Sequence, residues 1–301
     1  MEGLQRRSSA IKQRYLPPKR LVKLGTGDWI ILTDQDNASA AVSQGHYHPA
    51  LAEIFNLYHC TADNIGDLMC GPGQYLWPEV GRDLPLVPVR EALGNVVIGG
   101  GQLFSQISLV LSSIYELNPA ARVIAWGVGL PPAGTRDKLV REVTQDFALF
   151  GTRNYDRREQ LPFVPCASCL SPLFDQVAPP QHEIIFYLHR RKGEPVDVPQ
   201  DAPILTNAMR SPREVIDFIA SGETVVTSSY HGVYWAQLLG RRVICLPYND
   251  KFETFQHRPT MAEAGDWRSC LAPVGRTPPL LEEYRALNHA FAQQALEIWN
   301  G

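Results

Sequence analysis

The sequence predicts an α/β fold built as two halves, each a mostly parallel sheet covered by helices, and three observations carry that expectation. From about residue 52 short apolar runs alternate with amphipathic helical patterns, the sign of βαβ units. Prolines 162, 165, 172, 179 and 180 then interrupt any periodic element, which suits a linker between domains. Beyond them the alternation starts again. The 301 residues suffice for about two ordinary domains of roughly 100–200 residues each.

Taken in order, Ile54 to Cys60 reads as a strand, and Ala62 to Asp67 as a polar turn leading into a helix. Asn95 to Ile98 is a buried strand, followed by Gly99-Gly100-Gly101 and a helix from Leu103 to Leu117. Arg122 to Trp126 is the next strand, Thr135 to Phe147 is an amphipathic helix, and Leu149 to Gly151 is a short strand ending at Thr152-Arg153-Asn154. In the second half, Glu183 to Leu188 is a strand ending in His189-Arg190-Arg191, and Pro203 to Thr206 is another. Ser211-Pro212-Arg213-Glu214 has capping-box spacing with proline at the first helical position. Thr224 to Thr227 is a strand, Val233 to Leu239 a helix, Arg242 to Leu246 a strand leading to Pro247 to Lys251, and Leu280 to Trp299 a terminal helix. No internal repeat or low-complexity tract is visible.

Composition narrows the function classes. Hydrophobic residues make up 45% and charged residues 20%, the balance of a soluble globular protein. No stretch approaches the ~18 uninterrupted apolar residues that would span a bilayer, which excludes a membrane-embedded enzyme. The net charge of −3 lacks the chain-wide basic field that nucleic acid would require. Residues 1–23 carry +6, leaving −9 on the rest. That segment reads first as a frayed basic terminus and alternatively as a tether to anionic membrane surface. It has no apolar core or small-residue cleavage site of a secretory signal, so the protein reads as cytoplasmic, with peripheral contact at the inner face of the plasma membrane as the alternative.

The six cysteines, Cys60, Cys70, Cys166, Cys169, Cys245 and Cys270, show no disulfide-rich spacing, and reduced thiols fit best. Cys166 and Cys169 form a lone CxxC with no second ligand pair at zinc spacing, so ordinary packing is the reading there and no metal is expected. His46 and His48, flanking Tyr47 before Pro49, read as a polar turn rather than a ligand set.

Ligands of open parallel sheets bind beyond the carboxyl ends of the strands, and several unusual loops fall at that edge. Asn64-Ile65-Gly66-Asp67 follows a strand and opens a helix, where the Asn and Asp side chains can bond to free amides, although capping alone explains the pattern. Gly99-Gly100-Gly101 also lies between strand and helix, where unhindered amides suit an anion or a close backbone approach. It fits neither GxGxxG nor GxxxxGK[ST], because Gln102-Leu103-Phe104 follows, so a dinucleotide or P-loop site is not expected. Ser228-Ser229-Tyr230-His231-Gly232 ends a strand and starts a helix, with a histidine poised for proton transfer near neutral pH or serving simply as a packed polar group. Lys251, Arg153 and Arg190 sit at other strand ends, and cations gathered there suit an anionic substrate or pair with acids. Pattern alone therefore reaches an anion-binding, two-domain α/β enzyme.

In chain order, Asn64-Ile65-Gly66-Asp67, Val97 to Phe104, Val225 to Gly232 continuing through Gly240 to Ile244, and Tyr248 to Lys251 resemble the motifs of the polysaccharide pyruvyl transferase family. The likeness spans roughly residues 54–255. It implies two Rossmann-like domains in a GT-B-like arrangement with the active site in the interdomain cleft, and a C-terminal helix that crosses back onto the first domain. It divides the chain into a basic segment 1–23, an N-terminal α/β domain 24–178, a C-terminal α/β domain 179–278 and a helix 279–301. The implied reaction moves a pyruvyl group from phosphoenolpyruvate to two hydroxyls of a glycan or lipid-linked saccharide, forming a cyclic ketal without a cofactor, metal or nucleic-acid partner. In that reading His231 moves the proton, and Arg153, Arg190 and Lys251 hold the donor. Asn64, Asp67, Gly99, Gly100 and Gly101 shape the cleft, and they and Ser229 are expected to bind substrate.

One departure bears on the donor. The family often carries Arg-Leu-His where Ser229-Tyr230-His231 stands, and serine cannot copy an arginine fork on a carboxylate or phosphate. Pro165 to Cys169 also replaces a Gly-Asp-Pro type of turn. The donor site is thus rebuilt from Arg153, Arg190 or Arg191, or adapted to another donor. The alternatives are a GT-B-like glycosyltransferase using a nucleotide sugar and a catalytically silent glycan-binding relative.

Overall fold

The computed structural model describes residues 21–23, 29–31, 53–208, 211–272 and 274–301. The expected roles of residues 1–20, His46 and His48 lie outside the described residues. Strands β1 (Leu21–Lys23) and β2 (Trp29–Ile31) form a short antiparallel pair.

The first half contains β3 (Ile54–Tyr58), helix α1 (Ile65–Leu68), α2 (Gly73–Leu76), β4 (Gly81–Pro85), β5 (Asn95–Gly101), α3 (Phe104–Leu117), β6 (Arg122–Val128), α4 (Asp137–Thr144) and β7 (Leu149–Thr152). Its sheet is wholly parallel in the order β4-β3-β5-β6-β7. The second half contains β8 (His182–Leu188), β9 (Ile204–Thr206), α5 (Pro212–Ala220), β10 (Gly222–Thr227), α6 (Tyr230–Leu238), β11 (Arg242–Cys245) and β12 (Thr260–Met261), and the chain ends in α7 (Leu281–Asn300). This sheet is also parallel, in the order β12-β11-β10-β8-β9. Counted within each half, both sheets run 2-1-3-4-5, so a topology is repeated that the sequence does not display. In this order the crevice opens between the first and third strands, where the chain's direction across the sheet reverses. The two crevices are therefore at the ends of β3 and β5 and of β8 and β10.

The expected fold class is the one observed, two parallel-sheet α/β halves, with no closed barrel among the described residues. Differences are local. Strand β4 escaped the pattern because Arg82, Asp83 and Pro85 break its apolar run. Helix α6 starts at Tyr230, three residues before the expected Val233, because Ser229 caps it by accepting from the Gly232 amide at 3.4 Å. Ser211 occupies the capping position of α5 without a side-chain cap bond.

One face of the first sheet packs against α3 and α4 through Ile98, Val123, Ile107, Leu111 and Val140. The other is covered by α7, whose Phe291, Ala295 and Trp299 meet Trp77, Val97 and Trp126. Trp126 stacks edge-on against both Trp77 and Phe291, at 5.6 and 4.7 Å between ring centres. The Trp126 indole donates to Asn288 Oδ1 at 2.8 Å, and Arg122 Nη1 donates to the Ile298 and Trp299 carbonyls at 2.9 Å. The terminal helix thus crosses back onto the first sheet. The proline-rich stretch does connect the two sheets, but it is packed rather than loose: Val164, Cys166, Ala167, Ser168 and Cys169 are all buried, and short 3-10 turns run over Ala167–Leu170 and Pro172–Gln176. Among the described residues no helix is long and apolar enough to cross a membrane.

Candidate functional site

The two crevices face each other across a joint. Asn64 caps α1, its Oδ1 accepting from the Gly66 amide at 3.2 Å while its Nδ2 donates to Asp67 Oδ2 at 2.9 Å. The same Oδ1 accepts from Asn207 Nδ2 of the second half at 3.2 Å. The turn expected to shape the cleft therefore also docks one half on the other.

The triglycine sequence has a different physical cause from a free anion loop. A Cβ on Gly99 would fall 2.3 Å from Pro72 Cδ, and one on Gly100 would fall 2.2 Å from Cys70 Cβ. Gly100 and Gly101 also have φ of +48° and +95°, a region L side chains rarely adopt. Gly99 and Gly100 let the end of β5 lie directly on the Cys70 to Pro72 turn, while a Cβ on Gly101 would meet Leu103 at 3.4 Å and Asp67 Oδ1 at 3.7 Å.

Two cations meet at this joint, one from each half. Arg153, just after β7 and 5% exposed, lays its guanidinium 3.8 Å over the ring of Tyr230 at the start of α6. Its Nη2 reaches Gln102 Oε1 at 3.5 Å, and its Nη1 is buried with no hydrogen-bond partner. Lys251 donates to the Tyr248 hydroxyl and lies 4.4 Å from that ring's centre. Burial, with Arg153 and Lys192 adding repulsion, lowers its ammonium to about 7, against the opposing pull of Asp67. Burial and the charges of Lys251 and Lys192 likewise lower His189 to about 4. Among the described residues neither Arg153 nor Lys251 forms a salt bridge. Arg190 is exposed and joins this group only through its backbone, whose amide donates to Asn207 Oδ1 at 2.8 Å, while Arg191 pairs with Asp63. His189 is named at the end of its strand by the sequence reading without being given a role, and Lys192, which follows Arg191, is passed over.

Ser229 commits its hydroxyl to the α6 cap. His231, in the first turn, is 5% exposed and turns away from the cations. Its Nε2 lies 3.4 Å from Cys70 Sγ and 3.6 Å from Cys166 Sγ, and the two sulfurs are 3.4 Å apart. Cys70 Sγ is also 2.9 Å from the Gly66 carbonyl that accepts from it. Burial pushes the Cys166 thiol up, but hydrogen bonds from Cys70, His231 and Ser168 and the nearby imidazole hold it well below the usual thiol range. Cys70 moves up, through its bond to Cys166 and then burial. Cys70, Cys166 and His231 are the described residues whose donor set could hold a metal ion. Cys169 instead accepts from Asn288 of α7 at 3.3 Å, so the CxxC is not used as a pair. Cys70 lies 96 residues from Cys166, and no spacing rule joins residues so far apart.

The polysaccharide pyruvyl transferase family model matches residues 77–250, more than half of the chain. No curated protein sequence matches this chain. Among solved structures, an uncharacterized protein from Klebsiella pneumoniae subsp. pneumoniae NTUH-K2044 is similar at 15% identity and a TM-score of 0.41, covering 70% of this chain and 92% of that one. A Listeria monocytogenes protein described as a UDP-N-acetylglucosamine 2-epimerase is similar at 10% identity and a TM-score of 0.38, covering 79% of this chain and 90% of that one.

Proposed function

The chain belongs to the polysaccharide pyruvyl transferase family, a family of transferases with glycan acceptors, and from that premise we propose that it transfers a pyruvyl group from phosphoenolpyruvate to two hydroxyls of a saccharide. The observation that carries the reading is the buried Nη1 of Arg153, without a hydrogen-bond partner among the described residues, beside a Lys251 that feels the pull of Asp67 but forms no salt bridge among those residues. A buried guanidinium with an unused donor is costly unless a ligand completes it. Phosphoenolpyruvate brings a carboxylate and a phosphate. Arg153 offers the fork that serine at 229 cannot, and it reaches the position from the opposite half by stacking on Tyr230.

These placements support the following course for the reaction. Arg153 takes the carboxylate, and Lys251 with Lys192 faces the phosphate. A proton delivered to the enol methylene makes C2 electrophilic; one sugar hydroxyl adds there, phosphate leaves with its bridging oxygen, and the second hydroxyl closes the ketal, each hydroxyl giving up its proton. Lys251 is assigned the proton delivery, because its ammonium exchanges its proton near neutrality and hydrogen-bonds Tyr248. The resemblance gave that role to His231, but its Nε2 points at two buried thiols and its Nδ1 is hemmed in by Gly66. His231 belongs to the frame of the site. The basic segment 1–23 would suit an enzyme working on a lipid-linked acceptor at the inner face of the plasma membrane.

Thermal stabilisation tests the donor directly. A ligand present at 100 times its Kd adds about 2.7 kcal/mol, so phosphoenolpyruvate should raise the melting temperature of the wild type and leave Arg153→Ala almost unmoved. Stabilisation by a nucleotide sugar and not by phosphoenolpyruvate would transfer the site to a glycosyltransferase reading. A glycan that stabilises with neither donor active would mark a silent binding relative.

A further inference from the structure

We propose that Cys70 Sγ, Cys166 Sγ and His231 Nε2 bind a divalent metal ion of the zinc class, with a fourth coordination position left to water or a substrate oxygen. The three atoms are separated by 3.4, 3.4 and 3.6 Å. A tetrahedral zinc ion, bonded at ~2.3 Å to sulfur and ~2.0–2.1 Å to imidazole nitrogen, sets its ligand atoms about 3.5–3.8 Å apart. Shifts of a few tenths of an ångström would therefore admit the ion. Thiolate and imidazole are the donor types that select zinc over magnesium or calcium.

The surroundings are built for such a centre. All three ligands are buried, and they come from the turn after α1, from the connection between the sheets and from the start of α6. The Ser168 hydroxyl lies 3.3 Å from Cys166 Sγ and accepts from Trp235 Nε1 at 3.0 Å, which leaves its own proton free to point at the sulfur. Gly66 fixes the imidazole: a Cβ there would sit 2.0 Å from His231 Nδ1, so the ring lies against the backbone at Gly66 with its Nε2 toward the sulfurs. Three protein ligands rather than four is the arrangement of open metal sites. The expectation of no metal came from reading Cys166 with Cys169, whereas the fold pairs Cys166 with Cys70.

The test needs neither donor nor acceptor, so its result stands apart from the pyruvyl reading. Full-length protein, prepared with reductant and without a metal-affinity step, is measured by inductively coupled plasma mass spectrometry. About one zinc per chain is expected, retained through dialysis against metal-free buffer. Cys70→Ser and Cys166→Ser should each lose most of it, whereas Cys270→Ser, outside the cluster, should keep it. Where a serine variant does not fold, wild-type protein stripped by chelator and titrated with cobalt(II) supplies the readout, a thiolate-to-cobalt charge-transfer band saturating near one equivalent. A chain that is zinc-free as isolated and takes up neither zinc nor cobalt overturns the proposal. A disulfide between Cys70 and Cys166 in the protein as isolated, seen by thiol titration and peptide mapping, overturns it equally.

Discussion

A buried cation is a cost until something negative arrives, and Lys251 makes that cost measurable. Its folded-state value of about 7 lies well below the ~10.4 of a free lysine. Between these values the unfolded chain binds a proton that the native chain does not, so stability rises with pH across that window, and the full cost of the buried charge is present below about pH 7. Lys251→Met should therefore stabilise the protein most at pH 6, with the advantage shrinking toward pH 10, as read by thermal melts at fixed salt. Anion binding has the opposite requirement, a charged ammonium. Stabilisation of the wild type by phosphoenolpyruvate should accordingly weaken as pH rises above 7, and a pH-independent effect would remove Lys251 from the donor site. The sequence placed Lys251 and Arg153 at strand ends and so made them visible. It could not show that Arg190 stays exposed while Arg153 folds under Tyr230, because both arginines follow strands in the same way and only packing separates them.

At the level of elements, what could be read from the sequence was what local periodicity encodes. Strands β5 and β6 carry apolar runs buried along most of their length, and they stood out for that reason. Strand β4 did not, since its polar residues answer to neighbours: Asp83 accepts from Asn56 Nδ2 at 2.7 Å and from the Tyr58 hydroxyl at 3.0 Å on β3. The proline-rich stretch was legible as a connection but not as a buried one, because its contacts come from α6 and α7, far away in sequence. Helix α7 shows the same limit and yields a prediction. Trp299 stacks edge-on against Trp77 at 5.1 Å, and its indole donates to the Arg122 carbonyl at 3.1 Å, so the last turn is anchored rather than frayed. Trp299→Ala should cost about 3 kcal/mol in denaturant titration, near the lower end for a buried tryptophan because the chain end can relax. A loss under 1 kcal/mol would mean that the last turn does not hold the helix on the sheet.

Across the whole molecule, the halves are two in topology and one in packing. Ile65, Met69 and Cys70 of the first half share an apolar cluster with Ile185, Val233 and Trp235 of the second, with Cys166 and Phe174 of the connection, and with Tyr284 of α7. The Tyr234 hydroxyl donates to the Cys166 carbonyl at 2.7 Å, and Arg285 Nε donates to the Cys169 carbonyl at 2.9 Å, so the connection is bonded from both sides. Neither half can unfold without opening that cluster to water, and burial of apolar surface is the main force holding a fold together. Calorimetry should therefore give one transition whose van't Hoff and calorimetric enthalpies agree, as for a single cooperative unit. Because Arg153 and Lys251 lie on opposite sides of the joint, phosphoenolpyruvate should move that transition as a whole. Two resolved transitions, with the ligand shifting only one, would show that the halves are separable and that the donor site belongs to one of them. The joint would then be a hinge, and the anion pocket would have to form on closure.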